Sequence, residues 1–206
     1  MAQTSVETAT KPSTATAKAN PAPLGLLGFG VTTLVFCLGA SNLFGSKLDA
    51  DPVLPLALVF GGGAQLLAGM WEFHAGNTFG ATAFTGFGAF WISDFFLNTQ
   101  HVAGTPGAYD AAVYLLGWTI FTFILVFGAV RINVVTASLF ILLDLTFLAL
   151  TLQNFGILGN GNTTLLQIGG VLGIITALNA FYNATAAIVK DLAGRDVLPV
   201  FPLGNR

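Results

Sequence analysis

Gln65, Glu72, Asp94 and Asp144 interrupt stretches of chain that are otherwise almost entirely apolar. A charged residue at the centre of a bilayer costs roughly 2.5–3.5 kcal/mol on insertion scales, so polar groups that persist there are candidates for function. No Lys or Arg lies within these stretches to neutralise Asp94 or Asp144. Each acid must therefore be protonated, face water or bond to polar neighbours. Asp144 falls about 16 Å of helical rise beyond Asn133, near the middle of a span. It is a candidate proton carrier, with an oligomer contact or a structural bond as the alternatives. Asp94 lies nearer the end of its stretch and carries the same alternatives.

Gln65 shares a helical stripe with Gly61, Ala68, Gly69 and Glu72, since these offsets approximate one face of a 3.6-residue helix. The stripe could line an aqueous path, or Gln65 could bond to a neighbouring helix. Glu72 stands beside His74 at the end of its span, either as an interfacial carboxylate or as a proton-exchanging group at a mouth. Phe84, Phe87, Trp91 and Asp94 recur at steps of three and four, forming a bulky stripe. Such stripes commonly pack against helices or lipid, and lining a pore they would form a hydrophobic constriction. Thr176, Asn179, Tyr182 and Asn183 fall on approximately one face of the last apolar run. Metal-ligand spacing, a phosphate-binding Gly-rich loop and a nucleophile–base pair are all missing from the sequence, which excludes the usual enzyme and cofactor chemistries. Gly61-Gly62-Gly63 lacks the lysine such a loop needs.

The elements that carry these residues follow from composition. Charged residues are 8% of the 206-residue chain and net charge is -2, with a mean hydropathy of +0.80. These values exclude an ordinary soluble domain and a basic nucleic-acid-binding surface. The chain reads as an all-α integral membrane protein, because its apolar runs lack the period-two alternation of a barrel. Spans are expected at Leu24 to Phe44, Val53 to Trp71, Phe79 to Leu97, Ala111 to Val130, Asn133 to Leu152, and Leu165 to Val189. Six transmembrane helices of roughly 20 residues use nearly all of the length. Residues 1–19, rich in Ala, Thr and Ser, are expected to form a disordered tail without the apolar segment of a cleaved signal. Residues 20–190 form the membrane domain and 191–206 a second tail.

With six spans, Lys11, Lys18, Arg131, Lys190, Arg195 and Arg206 share one side and Lys47 has the other. Both termini are therefore expected in the cytoplasm, with the chain in the cell membrane. Gly61, Gln65 and Gly69, and Gly169 with Gly173, have the spacing of close helix approach. Cys37, the single cysteine, falls inside the first span and is expected to be a small buried hydrophobe.

Several motifs point further. Asn20-Pro21-Ala22-Pro23-Leu24-Gly25-Leu26 with Gly28-Phe29-Gly30, then Gly62-Gly63-Ala64-Gln65 and Glu72, then Gly76-Asn77-Thr78-Phe79-Gly80-Ala81-Thr82-Ala83-Phe84-Thr85, and finally Gly194-Arg195 with Val197-Leu198-Pro199, occur in this order. From Asn20 to about Pro199 the chain resembles the acetate uptake transporter, or succinate-acetate permease, family. The resemblance implies a homohexamer in which each protomer has its own path for acetate and other small monocarboxylates, or for succinate, moved with protons and without a cofactor. It also implies a constriction at Phe29, Phe87 and Leu143, where Phe87 replaces a tyrosine common in relatives. Helical rises of about 8, 12 and 15 Å from the cytoplasmic ends are compatible with one constriction level.

On this reading Asn20, Gln65, Asn77 and Thr78 supply polar contacts to substrate, and Glu72, Asp144 and Asp94 are the candidates for proton coupling. Pro21 and Pro23 leave amides free at the start of the first helix, where Asn20 could cap the helix or, with its dipole, meet an anion. A passive channel for neutral solutes such as acetic acid, urea, amides or ammonia is the alternative. A membrane sensor or assembly factor without flux is a third reading.

Overall fold

The computed structural model describes residues 19–45, 52–99, 107–159 and 161–203. The expected N-terminal tail, up to residue 18, lies outside them, as does Lys47. Six helices follow one another: α1 (Ala22–Ser41), α2 (Val53–Ala75), α3 (Thr78–Thr99), α4 (Ala108–Ala129), α5 (Val134–Asn154) and α6 (Thr164–Ala193). The described residues contain no strand, only one isolated antiparallel bridge between Asn133 and Pro202.

Five of these helices are long and apolar enough to cross a membrane. The exception is α3, which matches the others in length but carries Thr78, Thr82, Thr85, Ser93, Asp94, Asn98 and Thr99 among its aromatics. Phe123, Ile124 and Phe127 of α4, Ile141 and Leu145 of α5, and Ile175 and Leu178 of α6 are exposed on the isolated chain. Apolar helices with apolar outer surfaces describe a multi-pass membrane protein.

Local chemistry sets the helix ends. Asn133 caps α5 by accepting a hydrogen bond from Thr136 N at 2.7 Å. Gly76, with φ 79°, closes α2 in the left-handed region that glycine enters without a Cβ penalty. Pro55 lies within the first turn of α2, where its missing N–H has no helical partner to lose.

Helix α1 packs along α6, α2 against α3, and α5 against both α4 and α6. Small residues make these approaches possible. A Cβ on Gly61 would meet Thr32 Oγ1 at 2.6 Å, and Cβ atoms on Gly69 and Gly173 would collide with Thr85 and Cys37. The core contains Phe29, Phe87, Phe90, Trp91, Phe140, Leu143 and Phe147.

A π-helical turn over Val59–Ala64 interrupts α2. It coincides with Gly61-Gly62-Gly63, and a side chain on Gly62 would run into the Ala57 carbonyl. Periodicity alone places a regular helix here. The π turn adds one residue to a helical turn, and such insertions are frequent at functional sites.

Candidate functional site

A cavity of about 210 Å³ opens among the beginnings of α1, α3 and α5 and the ends of α2 and α6. Ala22, Asn77, Ile132 and Ala187 bring these helix ends to its wall. Phe29, Phe87 and Leu143 line the same cavity, each at most 4% exposed. Their alignment comes from three helices side by side, with the Phe29 and Phe87 ring centroids 5.8 Å apart. Phe87 also stacks on Phe147 at 6.3 Å and meets Phe121 edge-on at 5.4 Å. It is thus held by aromatic neighbours on several helices.

Polar groups are few and lie along this apolar wall. Gln65, 1% exposed, lines the cavity, and its Oε1 has no hydrogen-bond partner. Asn77 lines it as well. Its Nδ2 donates to Glu72 Oε2 at 2.8 Å, while its Oδ1 accepts from Gly80 N at 3.1 Å. Glu72 is buried behind Asn77, and its Oε1 lacks a partner. The short α2–α3 link makes this cluster: Asn77 N also donates to the Glu72 carbonyl at 3.0 Å. Gly80 is required beside it, since a Cβ there would lie 2.6 Å from Asn77 Nδ2.

Thr136 and Asn183 complete the polar lining. Asn183 Nδ2 donates to Asn179 Oδ1 at 3.3 Å, and Asn179 Nδ2 donates to Ser138 Oγ at 2.8 Å, which fixes the side of α6 that faces α5. Asn183 stands out in the sequence only as part of a polar stripe, and Thr136 has no signal beyond its place one turn into an apolar helix.

Other expected residues lie apart from the cavity. Asn20 is exposed, and its Oδ1 accepts from Ala22 N, the first amide of α1, at 3.1 Å, while Pro21 holds the N-cap position. Thr78 is exposed next to Asn77 and does not line the wall. Asp94 is half-buried, and its Oδ1 accepts from Asn98 Nδ2 at 3.2 Å. Asp144 is half-buried with an unpartnered Oδ1, and although it adjoins Leu143 in sequence it is not on the wall. Among the described residues three further buried groups lack partners: Thr85 Oγ1, and Thr33 Oγ1 and Trp91 Nε1, which lie one helical turn beyond Phe29 and Phe87 respectively.

This arrangement suits a small solute with one polar end. The volume is below that of pockets for drug-sized ligands. No Lys, Arg or His lines it among the described residues. A carboxylate there would find amide and hydroxyl donors but no fixed cation to offset the cost of burying its charge.

The model of the GPR1/FUN34/yaaH family matches residues 2–205. The succinate-acetate/proton symporter SatP of Escherichia coli strain K12 is 36% identical over 185 residues, covering 88% of this chain and 95% of that protein. Acetate permease A of Emericella nidulans is 39% identical over 198 residues, covering 88% of this chain and 65% of the relative. A solved structure of the bacterial acetate channel SatP superposes with a TM-score of 0.81 at 34% identity, covering 89% of this chain and 99% of that one.

Proposed function

Because the chain belongs to the GPR1/FUN34/yaaH family, the acetate uptake transporters, we propose that it moves acetate through a path within each protomer, coupled to proton uptake. Succinate, a dicarboxylate, and small monocarboxylates other than acetate are further substrates on this reading. The observation that carries it is the cavity without a fixed cation, walled by Phe29, Phe87 and Leu143. These three side chains would select by size, while Gln65 and Asn77 would hold the carboxylate oxygens, helped at the mouth by Asn20 and Thr78. Of the carboxylates proposed for proton coupling, Glu72 has the most direct link to the cavity, through Asn77. Asp144 and Asp94 would act at a distance from it.

Six membrane crossings, cytoplasmic termini and a homohexamer complete the proposal. The five apolar helices, with α3 packed among them, support the crossings. The cations Arg131, Lys190 and Arg195 all lie at the end of the bundle where α1 begins, which supports the orientation.

Uptake of radiolabelled acetate into proteoliposomes tests the proposal. Accumulation driven by an inward proton gradient and abolished by an uncoupler is expected. Equilibration without accumulation would instead favour a passive channel for acetic acid and other small neutral solutes. The apolar wall of the cavity and the relative described as an acetate channel support that second reading.

A further inference from the structure

Beyond Ala193 the chain turns at Gly194, with φ 65°, and the segment that follows is bonded back to the bundle. Tyr182 OH donates to the Pro199 carbonyl at 2.8 Å. Val134 N donates to the Phe201 carbonyl at 2.9 Å, and Leu203 N donates to the Ile132 carbonyl at 3.1 Å. These last two bonds form the antiparallel bridge of Asn133 with Pro202. The segment therefore grips the short turn between α4 and α5 from one side.

That turn forms part of the cavity wall. Ile132 lines the cavity, and so does Thr136, whose amide is held by Asn133 Oδ1. Within the turn, Arg131 N and Ile132 N donate to carbonyls at the end of α4, at 3.0 Å each. The outward-directed groups, the Ile132 carbonyl and the Val134 amide, are bonded by the C-terminal segment.

Burial does not explain the grip. Phe201 and Leu203 are both exposed. Phe201 also has φ 53°, a conformation costly for a bulky residue, which persists only where surrounding bonds determine it. The Lys190–Asp196 pair at 2.7 Å is exposed on both partners and adds little.

We propose that the segment from Pro199 to Leu203 is a brace that positions Ile132 and so sets the width of the cavity mouth. Phe201 and Leu203 are then positioning residues for size selection. The size-selection half of this statement rests on the transport reading, whereas the brace itself does not.

Proline substitutions test it with little disturbance. Val134 is the first residue of α5, where proline is favoured, and Asn133 before it is already extended, as a residue preceding proline prefers. Val134→Pro thus removes the donor to Phe201, and Leu203→Pro removes the donor to Ile132. In a full-length Cys37→Ser, Ile132→Cys background, the rate of modification by a water-soluble thiol reagent reads the freedom of the wall. Losing both bonds is expected to raise that rate roughly tenfold. Uptake of butyrate relative to acetate is expected to rise with it, while the melting temperature changes little because water can satisfy the freed groups. Tyr182→Phe, which deletes one hydroxyl, should give a smaller change of the same sign and serves if the proline variants fold poorly. Unchanged labelling in the double variant and in Tyr182→Phe would overturn the brace. Increased labelling in the variants, with no acetate uptake by the unsubstituted protein, would sink the transport reading and leave the brace standing. Increased labelling with an unchanged butyrate-to-acetate ratio would overturn the size-selection role.

Discussion

Asn77 separates Glu72 from the cavity: its amide lines the wall while its Nδ2 donates to the buried Glu72 Oε2 at 2.8 Å. The two side chains come from the end of α2 and the residue just before α3, joined by a link so short that their main chains are bonded as well. A carboxylate in this position can influence the cavity through the orientation of one amide.

Replacing Asn77 by Ala would leave Glu72 buried with neither oxygen bonded, a cost of about 1–3 kcal/mol. A lower melting temperature in detergent is the expected outcome. Glu72→Gln preserves size and an acceptor for Asn77, so it should melt close to the unaltered protein. If Glu72 exchanges the coupled proton, this variant should lose most gradient-driven accumulation of acetate while still equilibrating it. Full accumulation in Glu72→Gln would remove Glu72 from the coupling scheme.

Phe87, proposed to form a neck with Phe29 and Leu143, touches rings from several helices, so Phe87→Ala combines two effects. Stability should fall by about 3–5 kcal/mol, typical of a buried aromatic cut to alanine. Selectivity should also shift towards propionate and butyrate. Phe87→Leu keeps more of the packing and should show a smaller shift with a better-folded protein. Competition of each acid against labelled acetate measures both variants. An unchanged size series in the two would reject the neck.

The π turn of α2 gives a prediction about packing. A Cβ on Gly28 would stand 2.7 Å from the Phe60 carbonyl, which belongs to the turn and has little room to withdraw. Gly28→Ala should cost about 1–3 kcal/mol by overpacking. For Gly63 the nearest atom to an added Cβ is the Leu58 carbonyl at 3.5 Å, an ordinary contact. Gly63→Ala should therefore be tolerated within about 1 kcal/mol. Thermal melts of the two variants side by side check this, and equal losses would show that the close approach at Gly28 does not govern packing.

Much of this architecture is readable in the amino-acid order because lipid demands long uncharged helices, and apolar runs from Leu24, Val53 and Asn133 are easy to recognise. Their ends are less visible. Helix α6 continues through Lys190 and Asp191 to Ala193, since charged residues end a membrane span without ending a helix. The stripe from Gly61 to Glu72 is buried as its spacing implies, yet nothing in Gly61-Gly62-Gly63 distinguishes a π turn from ordinary close packing. The positions of Phe29, Phe87 and Leu143 on the cavity wall are legible only through motif resemblance, because a buried Phe on a wall and a buried Phe in a core have the same sequence pattern. The brace left no trace, as its bonds to the α4–α5 turn are made by main-chain atoms that every sequence possesses.

Asp144 gives the last prediction. It follows Leu143, which lines the cavity, but adjacent residues on a helix diverge by about 100°, so its carboxylate leaves the wall. Ile141, Leu145 and Leu148 beside it are exposed. Its Oδ1 is buried without a partner, a situation that in hydrocarbon requires a proton or an unseen neighbour. Asp144→Asn removes the exchangeable proton and keeps the shape. If Asp144 carries the proton, gradient-driven acetate accumulation should fall several-fold in proteoliposomes, with downhill equilibration preserved. Native mass spectrometry of the same variant reads the competing role, since an acid bonded across a protomer interface would change the distribution of oligomers. Accumulation at the full level would exclude the coupling role, and an unaltered oligomer as well would leave Asp144 to local structure within α5.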